Sequence, residues 1–139
     1  MGSRQSYARC GRGLARLMAG LRSAVEGWAE AWRCQQNVRI HAGFVVAITG
    51  LGLYLGLPAT QWAILVLTFI VVLAAEFLNS ALEALTDLVS PEYHALAKEA
   101  KDMGAGAVLL TAVGAVIIGL LILGPPLWAR VASLAGGAR

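Results

Sequence analysis

The chain has 139 residues, 58% of them hydrophobic and 14% charged, with a formal net charge of +3. Soluble domains carry about 25% charged residues, so this few cannot cover a water-facing surface. A soluble globular enzyme, a disordered tail and a nucleic-acid binder are excluded, and the length allows one domain.

The first ten or so residues read as disordered. From there to residue 35, Leu14, Leu17, Met18, Leu21, Val25, Trp28 and Trp32 recur at helical spacing along one face. Arg12, Arg16, Arg22, Glu26 and Glu30 lie mainly elsewhere on that helix. An apolar stripe with Trp beside a cationic face suits a helix lying in the membrane interface. Packing of the same stripe on a helical bundle is the equal alternative, and the two are compatible. Seven Arg and no long apolar run in the first 41 residues argue against a cleavable signal peptide.

Residues 36–124 hold three apolar segments, at about 40–57, 62–89 and 103–123. Each approaches or exceeds the roughly 20 residues that cross a bilayer as a helix. Pro58 with Ala59, Thr60 and Gln61 predicts a tight uncharged turn, so the first two spans form an antiparallel hairpin. Ser90-Pro91 predicts the end of the second helix, because proline disfavours helix in the residue before it. Gly124-Pro125-Pro126 predicts the end of the third, leaving 125–139 as a short tail. Gly52 and Gly56, and Gly104, Gly106 and Ala107, read as small residues that let membrane helices approach closely. There is no internal repeat, and no phosphate-loop or dinucleotide fingerprint.

Orientation follows from the Lys and Arg distribution. Nine of the eleven lie in the N-terminal segment or in the stretch after span two, where Lys98 and Lys101 sit. The 58–61 turn has none, and the tail has Arg130 and Arg139. The N-terminus and the 86–102 loop are expected in the cytoplasm, the C-terminus outside. Cys10 and Cys34 then face the cytoplasm, where thiols stay reduced, and neither is assigned a role.

The second span carries the chemistry. After the run from Trp62 to Ala75, apolar but for Thr68, come Glu76, Asn79, Ser80, Glu83 and Asp87, which share one helix face. At 1.5 Å per residue, Glu76 lies roughly 21 Å along the helix from Trp62. It is therefore still inside a hydrocarbon core about 30 Å thick, on the cytoplasmic side. Glu83, about 10 Å further on, is near the interface. A mid-membrane acid costs about 2.5–3.5 kcal/mol on the insertion scale, less off-centre, and two in-line acids repel unless a cation or proton lies between them. A polar face that merely glues helices together would explain Asn79 and Ser80 but not both acids.

Lys101-Asp102 enters span three at the same membrane depth. Mg²⁺ with a nucleotide is held by one or two carboxylates plus the phosphates. Lysine binds phosphate as a point charge, and a carboxylate in an apolar setting can act as a general base. Together these groups suit phosphoryl transfer from a cytoplasmic Mg-nucleotide to an acceptor reached through the bilayer. A proton-coupled transporter also places acids in its spans, but three short spans offer no inverted repeat or broken helix.

The run Glu76-Phe-Leu-Asn79-Ser80-Ala-Leu-Glu83-Ala-Leu-Thr-Asp87, then Pro91-Glu92-Tyr93-His94, Leu96-Ala97-Lys98 and Ala100-Lys101-Asp102-Met103-Gly104, resembles the bacterial integral-membrane diacylglycerol kinase and undecaprenol kinase family. Asn37-Val38-Arg39-Ile40-His41 is similar to that family's segment at the start of its first span. The resemblance covers about residues 16–123. It implies an all-α membrane protein of the bacterial inner membrane, with a surface helix and three transmembrane helices per protomer. It also implies a homotrimer whose active sites form between protomers at the cytoplasmic face. The implied activity is an ATP-dependent lipid kinase needing Mg²⁺, with diacylglycerol converted to phosphatidic acid as the expected reaction and undecaprenol as the alternative acceptor.

Carried over by position, Glu76 would be the general base on the lipid hydroxyl and Glu83 would hold the metal bound to ATP. Asn79 would orient the acceptor or phosphates, Lys101 would contact the phosphates, and Asp102 the nucleotide. Arg16 falls where the family uses an N-terminal Arg near the nucleotide. Asp87, Glu92 and His94 match less specifically, and His94 reads first as a solvated loop side chain. Gln35 stands where the better-known diacylglycerol kinase has a Glu as second metal ligand; its carbonyl can ligate Mg²⁺ but brings no charge. Gln35 is also the one feature that favours a non-catalytic membrane scaffold or lipid-binding protein. The 91–102 stretch and residues 37–41 look more like the undecaprenol branch, and Lys-Asp-Met-Gly at 101–104 more like the diacylglycerol branch.

Overall fold

In a computed structural model, which describes residues 13–136, the chain is all helix and short connections. The elements are α1 (Gly13–Cys34), α2 (Gln36–Leu55), α3 (Ala59–Val89) and α4 (Ala95–Gly136). The expected disordered start, Cys10 and Arg139 lie outside the described residues. The chain divides at Gln35 into an N-terminal unit and a unit of residues 36–139. In the first unit, Leu17, Met18, Leu21, Val25, Trp28 and Trp32 are all exposed on α1. Arg22 pairs with Glu26 one turn on, at 2.8 Å.

In the second unit, α2, α3 and α4 are each long and apolar enough to cross a membrane. The α3–α4 pair makes the most extensive contact, and α2 packs on both. At one end Leu65, Ile122 and Leu123 form a buried core, surrounded by Ile48, Leu51, Trp62 and Phe69. Along α3 the buried residues Leu65, Val72, Glu76 and Asn79 fall at steps of seven, four and three, a single stripe. Packing of such stripes aligns antiparallel helices at a shallow angle.

The turn between α2 and α3 comes slightly earlier than its proline suggests. Gly56 has φ +69°. Its N–H donates to Leu53 O at 3.2 Å, and Leu57 N–H donates to Gly52 O at 3.2 Å. This paired closure of a helix C-terminus needs a left-handed residue, which glycine adopts without Cβ strain. Pro58 then starts α3 rather than lying inside a turn: its carbonyl accepts from Gln61 N–H at 3.0 Å and Trp62 N–H at 3.2 Å. Gly52 and Gly56 are therefore not one small-residue packing pair. A Cβ on Gly52 would lie 2.9 Å from the Trp62 ring, whereas one on Gly56 would meet nothing within 4 Å.

The second helix ends where expected, with Ser90 at φ −133° and ψ 75° before Pro91. The loop is shorter than the sequence suggests. Only residues 90–94 are non-helical, and α4 starts eight residues before Met103. His94 caps that start: Leu96 N–H donates to His94 Nδ1 at 3.2 Å, and Lys98 N–H to His94 O at 3.0 Å.

The other end of α4 corrects a second expectation. Pro125 and Pro126 lie inside a helix that continues to Gly136, so 125–135 is not an irregular tail. Adjacent prolines remove two neighbouring N–H donors. Gly124 relieves part of the steric conflict that proline imposes on the preceding residue's Cβ. Proline also fits the first turn of a helix, where no donor is needed, and Leu127 onward simply resumes it. Beyond the prolines, Arg130 lies 5.6 Å from the centre of the Tyr54 ring, tying the extension to α2.

Candidate active site

Glu76, Asn79 and Glu83 lie on α3 and share the face that meets α4. Glu76 is 2% exposed and Asn79 8%, while Glu83 is half-buried. Glu76 is thus enclosed by its own chain more completely than a site open to cytosolic solvent would be. Its Oε2 has no hydrogen-bond partner, and neither has Asn79 Oδ1. Unpartnered buried polar atoms are few in native proteins, and each costs roughly 1–3 kcal/mol. Glu76 Oε2 therefore makes no hydrogen bond that would hold the helices together.

The Asn79 amide connects the two helices to Glu83. Its Nδ2 donates to Glu83 Oε1 at 2.9 Å, one turn along α3. Its Oδ1 faces α4 at Gly104, where an added Cβ would collide with it.

Nearer the connection, charges pair across and along the helices. Lys101 on α4 donates to Asp87 Oδ1 on α3, and Lys98 donates to Asp102 Oδ2 one turn on. An open groove of about 410 Å³ lies here, lined by Asp87, Glu92, Tyr93, His94, Lys98 and Lys101 among others. Two of the residues predicted to contact the nucleotide or its phosphates, Lys101 and Asp102, line it. Asp87 is expected from sequence on the polar face of α3 and as a less specific family match, while Lys98 and the capping role of His94 have no assignment from sequence. The Lys98–Asp102 pair is legible as an i, i+4 spacing, and His94 as the residue just before a helix. The Lys101–Asp87 pair is not, because it depends on how α3 and α4 are set against each other.

Among the described residues no three His, Cys, Asp or Glu side chains cluster to hold a metal ion. Glu83, half-buried and steadied by Asn79, suits a Mg²⁺ that keeps phosphate and water oxygens for the rest of its shell. Arg16, exposed on α1, and Gln35, half-buried at its end, belong to the N-terminal unit. The structure brings Glu76, Asn79, Glu83, Lys101 and Asp102 onto one helix pair.

Comparison with known proteins bears on this arrangement. Residues 22–123 match a family model described as prokaryotic diacylglycerol kinase. A diacylglycerol kinase of Synechocystis is 46% identical over 112 residues, 80% of this chain and 64% of that protein. The undecaprenol kinase of Bacillus subtilis is 39% identical over 104 residues, 75% of this chain and 85% of its own. The diacylglycerol kinase of Escherichia coli K12 is 32% identical over 111 residues, 80% of this chain and 91% of its own. The alignment thus spans 64% of the length of the Synechocystis relative.

Proposed function

The chain belongs to the prokaryotic diacylglycerol kinase family, a family of membrane lipid kinases, and from that premise we propose that it transfers the γ-phosphoryl group of ATP to the hydroxyl of a membrane lipid alcohol, diacylglycerol before others. The observation that carries this reading is the family match over residues 22–123, which contains Glu76, Asn79, Glu83, Lys101 and Asp102.

In the proposed reaction the lipid oxygen bonds to the γ-phosphorus as the bond to the β–γ bridging oxygen of ATP breaks. Glu76 accepts the hydroxyl proton, and ADP leaves with the bridging oxygen. Lys101, released from Asp87, lies against the phosphates and offsets their charge. Asp102 contacts the nucleotide, and Arg16 is assigned to it only by its position in the family pattern. Glu83 would hold Mg²⁺ entering with the nucleotide, which when bound neutralises the β- and γ-phosphate oxygens. Gln35 is assigned as a neutral carbonyl ligand only by its position in the family pattern. Because Glu76 is enclosed, side chains around it must yield before the acceptor hydroxyl arrives. That makes lipid entry, rather than nucleotide binding, the gated event.

The same reading places the protein in the bacterial inner membrane as a homotrimer, N-terminus and active site cytoplasmic, C-terminus outside. The apolar surfaces left exposed on α2, α3 and α4 support a lipid-facing or subunit-facing role. Undecaprenol is the second reading, favoured by the Bacillus subtilis relative, of which the alignment covers 85%. Purified protein in micelles with labelled ATP, Mg²⁺ and diacylglycerol, undecaprenol or ceramide should phosphorylate diacylglycerol fastest. Glu76→Gln should abolish turnover while a non-hydrolysable ATP analogue still binds. Full activity in that variant removes Glu76 as the base. If the wild-type protein shows no affinity for Mg-nucleotide at all, a scaffold or lipid-binding protein becomes the better description.

A further inference from the structure

Two glycines of the described chain are places where a Cβ would be in contact with another element. One is Gly52, beneath Trp62 at the hairpin; the other is Gly104, against Asn79. Gly106, two residues further along the same helix, faces open space. At Gly104 a methyl would overlap Asn79 Oδ1 and sit 3.0 Å from Leu82 Cδ2. The leucine end can swing aside. The asparagine cannot do so without consequence, because it is 8% exposed and its Nδ2 holds Glu83 Oε1 at 2.9 Å. Rotating the amide away from α4 takes that donor off the carboxylate.

We infer that Gly104 is a positioning residue for Glu83: the bare backbone of α4 fixes the Asn79 amide, and the amide fixes the orientation of the metal-binding carboxylate. The inference rests on the kinase reading above and adds to it a control exerted from the neighbouring helix. Glu83 has one rotatable bond more than an Asp would and is only half-buried, so without such a partner its carboxylate would sample several rotamers. Groups that orient a metal ligand typically change metal affinity by about 10–100-fold when removed. Gly104 acts at one remove from that layer, through shape alone.

The test uses Mn²⁺ binding to the full chain in micelles with a non-hydrolysable ATP analogue, read by water proton relaxation. Gly104→Ala should weaken Mn²⁺ by about tenfold or more, and Asn79→Ala should do the same. Gly106→Ala, which gains the same helix propensity but touches nothing, should bind as the wild type does. The double variant Gly104→Ala/Asn79→Ala should match Asn79→Ala, because the shortened side chain leaves room for the methyl. If Gly104→Ala does not fold, the double variant must still melt with Asn79→Ala; failure to do so means the methyl meets something else, and overturns the inference. Equal Mn²⁺ affinity in Gly104→Ala and Gly106→Ala also overturns it. Lipid phosphorylation by the wild type is followed in parallel. An active wild type with an indifferent Gly104→Ala refutes this inference alone. A wild type that neither binds Mn²⁺ with nucleotide nor phosphorylates lipid refutes the kinase reading and this one together.

Discussion

Glu76, Asn79 and Glu83 were legible as a group because helical periodicity is enough to put residues three and seven apart on one face. What each of them touches was not. Asn79 reads from sequence as a residue that meets substrate, yet its amide spans from Gly104 to Glu83. Likewise Lys101 reads as a phosphate ligand, and in the structure it is held by Asp87. Both facts depend on the relative register of α3 and α4, which no local pattern encodes. The two ends of the Lys101–Asp87 pair should separate in experiment. The pair is 37% exposed at the lysine and 67% at the aspartate, so Asp87→Asn should change thermal stability by less than about 1 kcal/mol. Lys101→Met should raise the KM for ATP by the equivalent of about 1.5–3 kcal/mol, the range for a hydrogen bond to a charged group. Steady-state kinetics across ATP concentrations and melting in micelles check the two halves separately.

At the scale of elements, the three spans and the place where α3 stops were readable from apolar runs and Ser90-Pro91. Apart from the start of α4, which lies eight residues before Met103, the differences fall on Gly and Pro, whose meaning depends on position. Gly56 serves as a left-handed terminator while Gly52 makes room for Trp62, although both fit the same small-residue spacing. Replacing Gly56 by Ala should destabilise the hairpin by about 1–2 kcal/mol through the left-handed conformation alone. Gly52→Ala should act through packing, and Gly52→Ala with Trp62→Leu should recover much of its loss. Unfolding in mixed micelles distinguishes these, since Gly56→Ala, which meets no neighbour, has no such rescue. Gly124-Pro125-Pro126 carries the same lesson: a proline pair that stops one helix can open another, and here the helix runs on. Pro125→Ala/Pro126→Ala should leave helix content and lipid phosphorylation unchanged, because the candidate site lies at the opposite end of α4.

For the molecule as a whole, α3 and α4 are longer than the bilayer requires. The 31 residues of α3 correspond to about 46 Å, against a hydrocarbon core of about 30 Å. The excess fits an α3–α4 hairpin tip standing clear of the lipid tails, with the Glu76–Asn79 stripe below it. A reporter placed after Arg139 should report the outer side, and a cytoplasmic signal would reverse the orientation. Light scattering of the purified protein in micelles, corrected for detergent, should give three chains per particle. The hairpin tip also bears on how a nucleotide arrives. Its two lysines already face two aspartates, and Glu92 lines the same groove. An incoming polyanion therefore feels little long-range attraction and must exchange with carboxylates already in place. Its capture rate should accordingly change little between low and moderate ionic strength, unlike the steep fall expected of electrostatically steered association. Stopped-flow mixing with a fluorescent ATP analogue across a salt series would measure that slope.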